Sequence, residues 1–180
     1  MNVDVTNMIV KDRIGIAKNL NTPVDVLVQL ATDIDYVVRW YVAQNPNTPV
    51  DVLVDVLVQL STNENSDIRG GVAQNPNTPV DVLLQLLTDE RSWVRQSVAR
   101  NPNTPVEVLV KLSSSPNYHI RQGVALNPNT PVDVLVQLSS DKECSVRWSV
   151  AQNANTPMDV LRMLSQDSNL IVREFAQALI

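Results

Sequence analysis

The side chains best suited to chemistry are few in this chain of 180 residues, and most of them recur at fixed spacing. His119 is the single histidine and Cys144 the single cysteine. A metal site or a Ser-His-Asp arrangement finds no spare parts here. A Cys144–His119 nucleophile pair is one reading; an exposed thiol without a role is the simpler one. Gly70-Gly71 is not part of a phosphate-cradling loop, since it falls inside a helical stretch, where it is expected to relax packing. Carboxylates are plentiful, yet they repeat with the sequence, which marks them as scaffold. The remaining candidates are a column of arginines, Arg13, Arg39, Arg69, Arg95, Arg121, Arg147 and Arg173, and a set of aromatics. The column reads either as hydrogen bonding between repeats or as an anion-binding stripe. A phosphate stripe needs uncompensated positive charge. The net charge of −5 argues against it and against a generic nucleic-acid binder.

What positions these residues is a repeated unit. Asn-Thr-Pro begins at Asn21, Asn47, Asn77, Asn103, Asn129 and Asn155. The expected organisation is one helical-repeat domain over 1–180. It comprises a half-repeat 1–20 and repeats 21–46, 47–76, 77–102, 103–128, 129–154 and 155–180. The second repeat carries four extra residues, equivalent to Asp55–Val58, in VDVLVDVLVQL. Four residues add about one helical turn, so a longer helix is expected there rather than a loop.

Each unit reads as two short helices. Thr-Pro-Val-Asp supplies a Thr N-cap, Pro at the first helical position and an acid able to reach back to the cap N–H. In the third unit Val80, Val82, Leu83, Leu84, Leu86 and Leu87 leave only a narrow polar arc around Asp81 and Gln85. Such a helix is expected to be contacted on several sides, as in a stacked solenoid. The second helix covers the VRxxVAxN stretch and is short α or partly 3₁₀. Ala43, Ala73, Ala99, Ala125 and Ala151 allow close approach. Asn45, Asn75, Asn101, Asn127 and Asn153 are expected to end these helices in the left-handed conformation, with Pro blocking continuation at four of them.

The pattern VRxxVAxNPNTPxxxLxxLxxD resembles the leucine-rich repeat variant family over essentially the whole chain. That resemblance implies an all-α, right-handed superhelical solenoid in which α and 3₁₀ helices alternate. The pattern also resembles HEAT-like repeats, in which an Asp and an Arg six residues later form a ladder. The pairs here are Asp33/Arg39, Asp89/Arg95, Asp141/Arg147 and Asp167/Arg173. Asn63/Arg69 and Ser115/Arg121 depart from it. Some members of the variant family carry an iron–sulfur cluster on a Cys-rich segment. Cluster ligation needs several thiolates, so with Cys144 alone no cofactor is expected.

Aromatics make up only 4% of the chain, and they fall where the repeat varies. Numbering each unit from its Asn-Thr-Pro Asn, positions 14–17, 20, 21 and 24 vary. Tyr36, Trp93 and Tyr118 stand at positions 16 and 17; Trp40, Tyr41, Trp148 and Phe175 stand at 20 and 21. Variable aromatics on one helix face suggest a partner surface; gap filling between units is the competing reading. The chain is thus expected to be a monomeric, non-enzymatic protein-interaction scaffold for an unknown protein or peptide. One alternative is a nucleic-acid- or anion-interacting repeat using the Arg column. Another is a designed or recently duplicated array with no selected partner. A repeat enzyme would need an acid–base cleft that no motif locates.

No run of 18 apolar residues is present, Asp4 interrupts any signal-peptide core, and a reduced cytoplasmic setting is the default. Asp12 and Arg162 replace aliphatic residues at the ends, as caps do, so the array is expected to be complete.

Overall fold

The computed structural model describes residue 5 and residues 7–180; the rest of the half-repeat, Asp4 included, lies outside the described residues. Among the described residues every regular element is an α-helix. The first helices of the units are α2 (Val24–Leu30), α4 (Val50–Ser61), α6 (Val80–Leu86), α8 (Val106–Leu112), α10 (Val132–Leu138) and α12 (Met158–Leu164). The second helices are α1 (Val10–Lys18), α3 (Tyr36–Gln44), α5 (Ser66–Gln74), α7 (Ser92–Arg100), α9 (Tyr118–Leu126), α11 (Cys144–Gln152) and α13 (Leu170–Gln177). The second helices are α throughout, and no 3₁₀ helix alternates with the first helices among the described residues. The four-residue insertion lengthens α4 to 12 residues against 7 in α6, the longer helix that the duplicated turn implied.

The second helices stack on one another: α1 on α3, α5 on α7, α7 on α9, α9 on α11, α11 on α13. The first helices form the other layer and, α4 with α6 apart, barely touch each other. The core is the seam between layers. Leu30, Leu57, Leu83, Leu109, Leu135 and Leu161 from the first helices meet Val38, Val72, Val98, Val124, Val150 and Val172 from the second. Ala17, Ala43, Ala73, Ala99, Ala125 and Ala151 form a buried column along the second helices.

Four expectations are corrected here. Thr does not cap the first helix. Pro occupies the cap position at α2, with no side-chain cap bond, and it has no N–H for an acid to reach. The Thr hydroxyl instead donates backwards to the preceding second helix: Thr22 to Ile16 O, Thr104 to Val98 O, Thr156 to Val150 O. Thr is thus a buried staple that gives a second hydrogen bond to a helix-end carbonyl already accepting an Asn N–H, as Val98 O does from Asn101.

Asn does not end those helices in the left-handed region, since no non-glycine residue among the described ones has positive φ. Asn101 is extended, at φ −67° and ψ 130°. Its Oδ1 accepts the Asn103 N–H, and its Nδ2 donates to Ala73 O and Asn75 O of the preceding unit, both at 2.8 Å. The amide bridges two units, a requirement that a local end-of-helix signal does not encode.

Nor are the first helices covered on several sides. Val24, Val28, Val80, Leu84, Val106, Val110, Val132 and Val136 are exposed, because neighbouring first helices are spaced apart. Arg162 occupies a position that is exposed in every unit, so it is no special cap; Asp12 does face solvent where its counterparts are buried.

Candidate functional site

The arginine column lies between units. Each paired guanidinium has two tasks. Arg69 Nη1 donates to Asn63 O of its own unit at 2.8 Å, while Nε and Nη2 grip Asp89 of the next unit at 2.6 and 3.1 Å. Arg13 with Asp33, Arg121 with Asp141 and Arg147 with Asp167 repeat this bidentate fork. The ladder therefore joins each Arg to the Asp twenty residues later, not to the one six residues before it, whose backbone carbonyl alone it contacts. As a result the gaps at Asn63 and Ser115 leave Arg39 and Arg95 without a carboxylate, while Arg69 and Arg121 are paired. Arg39 Nε is buried with no hydrogen-bond partner. Arg173 contacts only the Asp167 and Ser168 carbonyls.

The forks set the charge states. At Asp89 and Asp167 the hydrogen bond from Arg69 or Arg147 is the largest influence and holds the carboxyl below its ordinary pKa. At Asp33 and Asp141 burial is the largest single influence and pushes upward. The arginine hydrogen bond, a backbone N–H and the nearby positive charge outweigh it, and the pKa again falls. The four arginines are raised, chiefly by the bond to Asp. Their side chains are only 9–13% exposed.

The seven aromatics divide into three groups. Tyr36 and Tyr118 are exposed at the starts of α3 and α9, Tyr118 beside His119 with ring centroids 3.9 Å apart and the planes tilted by 34°. Trp148 and Phe175 meet edge to face at 5.9 Å. Trp148, with Cys144, Ile171 and Val172, lines an apolar pit of about 380 Å³ between α11 and α13. Cys144 is a free, exposed thiol there. Among the described residues no cluster of His, Cys, Asp or Glu could hold a metal.

Tyr41, Trp40 and Trp93 form the third group, on the face of the second helices. Three cavities follow one another there. One of about 220 Å³ is lined by Lys18, Tyr41, Gln44 and Asn45. One of about 580 Å³ shares Gln44 and Asn45 and adds Trp40 and Gln74. One of about 370 Å³ shares Gln74 and adds Trp93, Gln96 and Arg100. Shared walls make them a single groove from Lys18 to Arg100. Lys18 Nζ sits 4.1 Å over the Tyr41 ring, a cation–π contact.

Both indoles also pack inward, and Gly70-Gly71 is what admits them. A Cβ on Gly71 would fall 1.9 Å from Trp40 Cη2, and one on Gly70 would fall 1.8 Å from Trp93 Cζ3. Trp40 and Trp93 thus fill gaps between units and wall the groove at once. Lys18, Gln44, Gln74 and Arg100 complete the groove walls and are not among the residues singled out from the sequence. Their signal was present, since all four occupy variable repeat position 24.

Stacked two-helix units with a lined groove across the stack define a helical-repeat scaffold. Residues 67–91, 93–117 and 118–143 match the model of the leucine rich repeat variant family. A solved leucine-rich repeat variant, described as having a novel repetitive structural motif, superposes with a TM-score of 0.61 at 24% identity. The match covers 98% of this chain and 68% of that one. An engineered protein of known structure matches with a TM-score of 0.49 at 23% identity, over 86% of this chain and 93% of that one. No curated protein matches the chain. Among the described residues no helix is long and apolar enough to cross a membrane.

Proposed function

We propose that this chain is a non-enzymatic scaffold that binds a protein or peptide along the variable face of its second helices. The observation that carries the reading is the continuity of the groove from Lys18 to Arg100, with Tyr41, Trp40 and Trp93 spaced along it. A surface spread over several units suits an extended ligand, and half-buried Trp and Tyr supply rigid contact area. The arginine column supports this reading over an anion stripe, because four of its forks already hold carboxylates.

The test is selection from a displayed peptide library against the wild-type protein and against the Trp40→Ala/Trp93→Ala variant, with helicity checked by circular dichroism. Ligands enriched by the wild type and lost in the folded variant are expected. Equal enrichment by both proteins, or none by either, would sink the reading.

A further inference from the structure

The four-residue insertion does more than lengthen α4. At the junctions α5–α7, α7–α9 and α9–α11, and at the one following α1, side-chain amides sew the stack together. Asn45, Asn101, Asn127 and Asn153 each donate to two carbonyls of the preceding unit. Asn47, Asn103, Asn129 and Asn155 each donate to the carbonyl of Leu20, Pro76, Pro102 or Pro128, at 2.6 Å. Where α3 meets α5 these links fail together. Asn75 reaches only Ala43 O, at 3.3 Å. Asn77 Nδ2 has no acceptor among the described residues, and the Pro46 and Asn45 carbonyls lose their amide partners. The long α4 packs against both α3 and α5 and holds them apart.

The released groups line the 580 Å³ cavity beside Trp40, a volume within the roughly 300–1,000 Å³ range of ligand sites. No charged residue is in its wall. The wall offers amide donors from Asn75 and Asn77, carbonyl acceptors at Asn45 and Pro46, and an apolar side from Trp40 and Leu53. In the other units the same Asn side chains hold main-chain carbonyls. The vacated places therefore have the chemistry of a peptide main chain.

We propose that the opened junction between α3 and α5 binds an uncharged, extended peptide segment. Its carbonyls take the Asn75 and Asn77 amides, its N–H groups take the Asn45 and Pro46 carbonyls, and one apolar side chain lies on Trp40. This rests on the protein-interaction reading above and names what the widest part of the groove accepts.

The test uses the full chain and the Trp40 indole N–H resonance, assigned with Trp40→Phe. The probes are N-acetylated, C-amidated Gly-Leu-Gly-Leu, its Glu-Leu-Glu-Leu counterpart and cellobiose, each at millimolar concentration. The uncharged peptide is expected to move Trp40 and the Asn75 and Asn77 amides while Trp148 stays still. Asn77→Ala removes an amide the fold does not use. It should keep the unfolding midpoint and weaken binding about tenfold, the worth of one hydrogen bond. Deleting 55–58 should close the cleft and abolish the shift. No movement of Trp40, preference for the charged peptide or the disaccharide, or an unchanged affinity in Asn77→Ala overturns the proposal. Library ligands that need Trp93 but leave Trp40 unmoved overturn it too, and leave the interaction reading standing.

Discussion

Asn63 stands where the four paired rungs have Asp33, Asp89, Asp141 and Asp167, and one group makes the difference. Its Oδ1 still accepts the Asn65 N–H at 2.9 Å, as Asp89 accepts from Arg91. The second carboxylate oxygen is replaced by an NH₂ group, which offers Arg39 Nε no acceptor. A buried donor without a partner is costly, and hydrogen bonds between charged groups are worth more than neutral ones. Asn63→Asp should therefore stabilise the fold by about 1–3 kcal/mol, read as a rise in thermal midpoint. No rise would show that Arg39 is satisfied by solvent. The existing rungs set the acid response. The folded-state pKa values of Asp33, Asp89, Asp141 and Asp167 lie below the unfolded value of roughly 3.9. Their contribution is complete above that value and is lost as the pH falls through the lower folded-state values. Asp89→Asn should lower stability at neutral pH and flatten the acid limb of a urea-midpoint titration. A limb of unchanged slope would assign acid unfolding to other carboxylates.

At the scale of the helix, glycine has opposite meanings in different second helices. Gly15 in α1 faces open space, so Gly15→Ala should stabilise by roughly 0.5–1 kcal/mol through helix propensity. A Cβ on Gly123 in α9 would meet the Gln96 backbone oxygen at 2.8 Å, and a backbone on the facing helix cannot step aside. Gly123→Ala should lower the urea midpoint, whereas Gly15→Ala should raise it. Shifts of the same sign would mean that the α7–α9 spacing is not set by that contact. The same contrast explains how much was legible beforehand. Helix order, the lengthened α4 and the buried Val and Ala columns follow from local periodicity, and they stand as read. The Thr and Asn roles were misassigned because both residues also serve as local punctuation. Here Thr22 and Asn101 bond a neighbouring element instead, a distinction that is invisible without the stack. Hydrogen bonding between repeats is what the arginine column implied, but the carboxylate that Arg69 grips is Asp89, twenty residues on, a choice that the six-residue Asp/Arg spacing does not encode. The aromatics are visible in the sequence as breaks in the repeat, but nothing local in it shows that Gly70 and Gly71 make room for Trp93 and Trp40.

For the whole molecule, a solenoid is approximately a chain of units coupled to nearest neighbours, so its weakest junction decides how it opens. That junction lies between α3 and α5. It lacks the Asp fork, the Asn77 link and one of the two Asn75 bonds, and apolar contact through α4 carries most of the coupling. The Arg95–Ser115 gap, by contrast, keeps both Asn links, from Asn127 and Asn129. Native-state hydrogen exchange should therefore show a step rather than a gradient. Amides of α3 should open at lower free energy than those of α11, although each is the third helix from its end of the described chain. Simple fraying would protect α3 and α11 equally, and that result would remove the weak junction from the account. Deleting 55–58 restores the 26-residue spacing and should raise the protection of α3 toward that of α11, and adding Asn63→Asp to supply the missing fork should raise it further. The insertion therefore trades coupling between units for an open cleft, and one deletion should reverse both effects together.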